Sequence, residues 1–202
     1  MTIDARFECV SKYAGQEDIL IPKRATGGSA GYDLVVAEDT IIPSAETQFF
    51  DFERKYQEYV KSKYTTWEAY EKEETENGAL TMARMKEFCK LWKTRPTLVP
   101  TGVKAAMPSD YYLQLQVRSS LPLNSWLVLA NGVGVIDSDY YNNPDNEGHI
   151  FIQLINLHPC DIILHKGERI AQGIFLPYGV VNQDVVVEGT REGGLGSTGT
   201  HA

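Results

Sequence analysis

The feature that most limits the fold is a series of short apolar runs, rich in Val, Ile, Leu, Phe and Tyr and separated by turn-forming residues. Each run is about as long as a β-strand and too short for an ordinary helix. The runs cover residues 7–10, 19–21, 32–36, 97–103, 111–117, 126–129, 149–155, 161–164, 170–175 and 180–187. Many short strands at such spacing predict a mainly β protein folded as a sandwich, jelly roll or barrel.

Composition narrows the class of protein further. The 202 residues are enough to bury a full core, in one domain or in one domain with a sizeable insertion. No apolar run approaches the eighteen or so residues that a membrane span needs, so we expect no membrane segment. A net charge of −8 argues against binding to nucleic acid polymers. An anionic ligand therefore has to be met by a local cluster of arginines.

The cysteines indicate a compartment. Cys9, Cys89 and Cys160 are scattered and odd in number, which argues against a disulfide framework and against a Cys-x-x-Cys metal site. The first six residues lack the apolar core of a secretion signal. Together these observations predict a protein of the reducing cytoplasm.

The segment 45–96 interrupts the β pattern. Aromatic residues recur there at helical spacing, and residues 65–68 (Thr-Thr-Trp-Glu) have the form of a capping box. Asn77-Gly78 is a stop signal, and Pro96 ends the last periodic stretch. We predict an inserted module of two or three helices. Its aromatic stripe is interpreted as the module's own small core, with a face for a protein partner as the alternative.

The predicted β domain then comprises 1–44 and 97–202. Its last part, 190–202, is too rich in glycine to build a core, and composition favours a flexible C-terminal arm. A functional alternative is an arm that wraps a phosphate group. The glycines leave backbone N–H groups accessible, Ser197 and Thr198 add hydroxyl donors, and Arg191 adds positive charge.

The stretch from Leu129 to Tyr140 alternates apolar residues with glycines and then breaks into an Asp-Ser-Asp turn. Glycine lets the backbone approach a flat ligand closely. We predict a β-hairpin whose edge holds a base or sugar and whose Asp137 carboxylate holds a water. The alternative is a plain hairpin with a polar turn.

Three more motifs accompany this stretch. They are Ser-Ala-Gly-Tyr-Asp-Leu at 29–34, Val-Arg-Ser-Ser-Leu at 117–121 and Lys-Gly-Glu-Arg-Ile-Ala-Gln at 166–172. Each is weak by itself, since Arg-Ser-Ser alone fits a surface turn. In this order, with the hairpin and the glycine-rich arm, they make the chain resemble the trimeric dUTP diphosphatases (dUTPases), which carry five such motifs. The resemblance covers nearly all of the chain outside 45–96.

The resemblance implies a β jelly roll that assembles as a homotrimer, with each active site built from more than one subunit. It implies hydrolysis of dUTP to dUMP and pyrophosphate with Mg²⁺ as cofactor. Mg²⁺ is a hard cation that phosphate oxygens and waters can bind with few protein ligands, which agrees with the lack of a ligand cluster in the sequence.

The resemblance also implies roles for residues near the reacting phosphate. Asp137 would deprotonate the water that attacks the α-phosphorus, and Gln172 would help to position water or phosphate. Asp33 would lie near the water shell of the metal. Tyr140 would pack against the deoxyribose and leave no room for a 2′-hydroxyl group.

The remaining substrate-binding residues fall into three groups by the same resemblance. The uracil would be read by Asn131, by the backbone of Val135 and Ile136, and by Phe151. The phosphates would be held by Arg118, Ser119 and Ser120, with Arg169 supporting the site. The arm residues Arg191, Gly196, Ser197 and Thr198 would close over the triphosphate, and Leu195 stands where the family usually has an aromatic residue that covers the base.

Two alternatives stay open. A dCTP deaminase of the same superfamily also has an Arg-Ser-Ser stretch, but it needs a glutamate beside the base, and the Asp137 turn with Tyr140 fits a diphosphatase better. A regulatory protein could instead bind a partner through 45–96 under the control of a nucleotide. The predicted location is the cytoplasm of a bacterium or of a phage-infected bacterial cell.

Overall fold

The computed structural model describes residues 2–16, 19, 21–63 and 96–184. The strands in this part of the chain are β1 (Arg6–Cys9), β2 (Lys23–Arg24), β3 (Tyr32–Val35), β4 (Thr40–Ile42), β5 (Thr97–Pro100), β6 (Val103–Ala106), β7 (Tyr111–Val117), β8 (Leu127–Leu129), β9 (Gly134–Ile136), β10 (Phe151–Asn156), β11 (Ile162–Leu164) and β12 (Arg169–Pro177). The helices are α1 (Ala45–Lys63), α2 (Ser120–Ser125) and two 3-10 turns, Ser11–Tyr13 and Ser138–Tyr140. The mainly β prediction is confirmed.

The strands form antiparallel sheets. The largest has the order β2-β3-β12-β7-β9, and a second has the order β5-β10-β8. Two further pairs, β1 with β6 and β4 with β11, complete the described topology. Since all these pairings are antiparallel, each strand can present one face to the core and the other to solvent or to a ligand.

The core shows this alternation most clearly at β10. Ile152 and Leu154 are fully buried at 0% exposure and belong to the main apolar cluster. Phe151 and Gln153 are only partly buried, because successive side chains of a strand point to opposite faces. One face of β10 therefore supports the core, and the other is free to line a pocket.

Two predicted strands are wrong. Ile19 and Ile21 are not in a strand, and the short β2 begins two residues later at Lys23. Residues 180–184 are not in a strand either, and the rest of the 180–187 run lies outside the described residues. Val180 and Val181 are 70% and 72% exposed. β-branched residues favour a strand only where a neighbouring strand packs against them.

The predicted hairpin in the 129–140 stretch is also wrong. β8 pairs with β10, whereas β9 pairs with β7 in the other sheet. The glycine-containing loop between them thus carries the chain from one sheet to another, and Gly132 takes a left-handed φ of 69° there. Phe151 is on β10, and β10 faces β9 across a gap. The two strands are not paired by hydrogen bonds.

The helix predicted at the start of 45–96 is present as α1. Its first turn is fixed by Ser44, whose hydroxyl accepts the Thr47 N–H at 3.0 Å, and by Asp161, which accepts the Ser44 N–H at 2.8 Å. The capping box at 65–68 and the later helical signals lie outside the described residues, so the domain division and a partner role for 45–96 stay predictions. Within the described helices, none is long and apolar enough to cross a membrane.

Candidate active site

A pocket of about 260 Å³ opens between β9 and the outward face of β10. That volume is close to the lower end of the usual range for small-molecule sites, about 300–1,000 Å³. Six of the residues that sequence reasoning assigned to base, sugar and water line it, namely Asn131, Val135, Ile136, Asp137, Tyr140 and Phe151. The structure therefore brings these side chains and backbone segments together at one cavity.

The wall formed by β9 depends on a glycine. A Cβ atom on Gly134 would lie 2.9 Å from the Cβ of Leu115 on the paired strand β7, so a larger residue would push the two strands apart. β9 is the last strand of its sheet, and no further described strand pairs with its outer edge. Its backbone N–H and C=O groups can accordingly pair with the polar edge of a planar ligand.

Tyr140 forms a second, rigid wall. Its side chain is 5% exposed, and its hydroxyl donates to the His149 carbonyl at 3.0 Å while accepting from Asn146 at 2.8 Å. The buried amide of Asn143 donates to the Tyr140 carbonyl at 2.8 Å. Because both ends of Tyr140 are held by hydrogen bonds, its ring can act as a fixed steric limit of the pocket.

Asp137 lies where β9 ends and the 3-10 turn Ser138–Tyr140 begins. Its backbone is extended, with φ −75° and ψ 157°, and its carbonyl accepts the Tyr140 N–H at 3.1 Å. The carboxylate is partly buried and lines the pocket, which is the placement that a base acting on a bound water requires.

A second cluster lies on neighbouring strands of the large sheet. Asp33 on β3 is directly opposite Gln172 on β12, and the Asp33 carboxylate contacts Arg118 Nε at 3.3 Å and Arg169 Nη1 at 3.1 Å. Gly31 leaves room for Gln172, since a Cβ there would lie 2.7 Å from the amide oxygen. Asp33 therefore orients two guanidinium groups that carry positive charge into this region.

The Arg-Ser-Ser motif ends β7 and starts α2. The Leu121 N–H donates to the Arg118 carbonyl at 2.9 Å, which turns the chain into the helix. Pro122 lies in the first turn, where a missing N–H costs no hydrogen bond. The side chains of Ser119 and Ser120 are exposed and can reach a ligand outside this chain's core.

Among the described residues, the second cluster does not line the pocket beside Asp137. Arg118, Ser119, Ser120 and Gln172 are not among the residues that line the cavity beside Asp137. The arm residues Arg191, Leu195, Gly196, Ser197 and Thr198 lie outside the described residues. The cavity beside Asp137 therefore contains the residues predicted to bind the base and not those predicted to bind the phosphates, as far as the described residues go.

Sequence reasoning missed some pocket residues. Leu115, Leu129 and Gln153 also line the cavity, and Gln153 brings an amide into it. The signal for Gln153 was its position two residues after Phe151, which puts both side chains on one face of β10. Among the described residues no group of three or more His, Cys, Asp or Glu side chains could hold a metal.

Comparison with known proteins gives the family. The sequence model of the dUTPase family matches residues 83–199. The deoxyuridine 5′-triphosphate nucleotidohydrolase of Lactococcus lactis is 37% identical over 194 residues, covering 96% of each chain. That of Rickettsia prowazekii is 40% identical over 106 residues, covering 50% of this chain and 68% of the relative.

Solved structures of dUTPases are also similar to this chain. The dUTPase of Streptococcus mutans, 36% identical, superimposes with a TM-score of 0.60 and covers 88% of this chain and 98% of its own. The dUTPase of the Staphylococcus bacteriophage 80alpha has a TM-score of 0.55 at 17% identity, over 93% of this chain and 98% of its own, and so supports the fold only. Motif order, pocket geometry and these similarities lead to one conclusion: the chain belongs to the dUTPase family.

Proposed function

We propose that this protein hydrolyses dUTP to dUMP and pyrophosphate, with Asp137 as the base that activates the attacking water. Membership of the dUTPase family supports the overall reaction. The observation that supports the mechanism is that one pocket is lined by Tyr140, by Asp137 and by β9, whose outer edge no other described strand pairs with.

Uracil recognition is assigned to the edge of β9 and to Asn131. Alternate residues of a strand direct their N–H and C=O groups to opposite edges, so within the segment 135–136 the groups on the outer edge of β9 can bind part of the O–N–O edge of uracil. Phe151 on β10 closes the opposite side. Tyr140 is assigned to the deoxyribose, because it lines the same pocket and its hydroxyl is held by hydrogen bonds, and a fixed ring there would disfavour a ribose with a 2′-hydroxyl group.

Water activation is assigned to Asp137. General-base catalysis by a positioned carboxylate contributes on the order of 10²–10⁴ in rate. The rest of the acceleration has to come from positioning and from charges that stabilise the phosphorane-like transition state. Arg118 and the hydroxyls of Ser119 and Ser120 are the available donors, with Gln172 beside them.

Membership of the dUTPase family supports a homotrimer in which a neighbouring subunit completes each site. In the described part of one chain these donors do not line the pocket beside Asp137. In that assembly Arg118, Ser119 and Ser120 of one copy face the phosphates bound by another. The arm, with Arg191, Gly196, Ser197 and Thr198, closes over the triphosphate, and Leu195 covers the base. Closure by a segment that folds on the substrate would exclude water only when substrate is present.

Mg²⁺ is the proposed cofactor. The described residues offer no all-protein cage, and the Asp33 carboxylate already pairs with two arginines. This donor set fits an ion that is bound mainly by phosphate oxygens and waters, with Asp33 near the water shell. When bound, the ion neutralises charge on the triphosphate. A structural Mg(II) ion is coordinated in a mutant form of the phage phi11 dUTPase, whose likeness to this chain, at 15% identity, supports the fold alone.

A substitution at Asp137 tests the mechanism. Asp137→Asn keeps the shape of the side chain and removes its basicity, so kcat for dUTP should fall about 10²–10⁴-fold while dUMP binding persists. Asp139→Asn is the matched control, because Asp139 is exposed and does not line the pocket. Pyrophosphate release is measured with dUTP, dCTP, dTTP and UTP and Mg²⁺. A near-normal rate for Asp137→Asn would refute the assignment, and deamination of dCTP would favour the other enzyme of the superfamily.

The bacterial origin of the relatives supports the cytoplasm of a bacterium or of a phage-infected cell as the site of this activity.

A further inference from the structure

His149 is a buried, titratable residue that the proposed chemistry does not use. It is 6% exposed, immediately precedes the buried Ile150, and does not line the pocket. Its Nε2 accepts the Gly102 N–H at 2.9 Å. A backbone N–H can only donate, so Nε2 carries no proton and the neutral ring holds its proton on Nδ1.

Two pocket walls rest on this one residue. The centroid of the His149 ring lies 4.1 Å from that of Phe151, at an interplanar angle of 45°. The His149 carbonyl accepts the Tyr140 hydroxyl at 3.0 Å. Phe151 and Tyr140 both line the cavity, and each is held by a different part of His149.

The residue is itself firmly anchored. Gly102 has a left-handed φ of 74°, and its backbone presents the N–H to the ring. Tyr13 packs against the same ring edge-on, with centroids 5.7 Å apart. Contacts outside the pocket therefore fix the position of His149. Through its own contacts, His149 in turn fixes Phe151 and Tyr140.

We propose that His149 is a positioning residue that sets the distance between Phe151 and Tyr140, and thereby the preference of the pocket for a deoxyribonucleotide. This inference rests on the proposed function, because it assumes that Tyr140 limits the space beside the sugar. The Gly102 hydrogen bond fixes the ring, the ring fixes Phe151, and the backbone carbonyl fixes the Tyr140 hydroxyl. Loosening either contact widens the pocket and admits a 2′-hydroxyl group.

A purely structural role makes a different prediction. If His149 only filled space, a folded variant would be less stable but would keep the preference of the wild type for dUMP over UMP. The ratio of the two dissociation constants therefore separates the two roles, since a general loss of stability affects both ligands equally.

Two substitutions separate the ring from its acceptor atom. His149→Phe keeps a ring against Phe151 but leaves the Gly102 N–H without its partner, whereas His149→Gln keeps an acceptor on a flexible chain. His165→Gln is the matched control, because the side chain of His165 is 65% exposed and its ring contacts the exposed Asp39 carboxylate at 3.4 Å. Dissociation constants for dUMP and UMP are measured by calorimetry, kcat and KM are measured with dUTP, and thermal melting confirms folding.

We expect His149→Phe to lower the dUMP-over-UMP preference about tenfold, and to raise KM for dUTP more than it lowers kcat. His149→Gln should recover most of the preference, and His165→Gln should match the wild type. An unchanged preference in folded His149→Phe overturns the proposal. If that variant does not fold, His149→Ala takes its place, because it removes both the ring against Phe151 and the acceptor for the Gly102 N–H, and an unchanged preference in folded His149→Ala overturns the proposal.

The same experiment separates this inference from the proposed function. A wild type that prefers dUMP but releases no pyrophosphate from dUTP would refute the hydrolase mechanism. The ratio of the dissociation constants for dUMP and UMP in the variants would then still test the role of His149. A wild type that hydrolyses dUTP while all His149 variants keep its preference would refute only the positioning role.

Discussion

Gly148 ends the loop that follows Tyr140, and its replacement by alanine tests how that loop holds the pocket. Its φ of 79° is in the left-handed region. An added Cβ would lie 2.5 Å from the Tyr140 carbonyl oxygen and 3.0 Å from the Tyr141 Cα. Both are backbone atoms and cannot rotate away, so the loop itself has to move.

The magnitude follows from two contributions. A non-glycine residue in the left-handed region costs about 1–2 kcal/mol, of which about 0.4–1 kcal/mol is offset by the reduced freedom of the unfolded chain. Forcing an extra methyl group into a packed site adds about 1–3 kcal/mol. We expect Gly148→Ala to lower the free energy of unfolding by about 2–4 kcal/mol, because both contributions apply.

Gly15→Ala is the matched control. Gly15 has a φ of 83°, yet a Cβ there would meet nothing within 4 Å. This variant should lose only about 1 kcal/mol, since the backbone contribution acts alone.

Urea denaturation measures both losses, and kcat/KM with dUTP measures the effect on the site. Gly148→Ala should impair the site by displacing Tyr140, and Gly15→Ala should not. Equal losses of stability in the two variants, or a normal kcat/KM in Gly148→Ala, would refute the reasoning.

Two further predictions concern charge. Asp33→Asn removes the carboxylate that orients Arg118 and Arg169. It should lower the free energy of unfolding by about 1–2 kcal/mol and reduce kcat for dUTP. The control Asp51→Asn removes an exposed ion pair on a helix and should change neither quantity. Burial lowers the pKa of His149 from 6.5 to about 4. The positive charge of Lys12 lowers this pKa further, and the negative charges of Glu38 and Glu147 raise it. Between those values the unfolded chain binds a proton that the folded protein excludes, so stability present above pH 6.5 is lost as pH falls, by about 2 kcal/mol at about pH 5. Urea unfolding at neutral pH and at about pH 5 checks this, and an equal loss in His149→Gln would contradict it.

The sequence by itself predicted the class of fold and several of the residues that line the pocket. Asn131, Asp137 and Tyr140 lie within one short stretch, so their joint role could be inferred from their order and from the glycines between them. The period of the apolar residues indicated a mainly β chain and the helix that became α1. These are local signals, because residue type, turn preference and period are properties of neighbouring positions.

Only the tertiary structure decided which strands meet. β8 and β9 are close in sequence but pair with β10 and β7 in different sheets, and this leaves the gap between β9 and β10 in which the pocket lies. Asp33 and Gln172 are opposite one another although they are far apart in the chain. Strand pairing depends on long-range packing against a shared core, which no local pattern specifies. For the same reason the role of His149 could not be predicted from the sequence, because its contacts with Gly102 and Tyr140 form only when the sheets pack together.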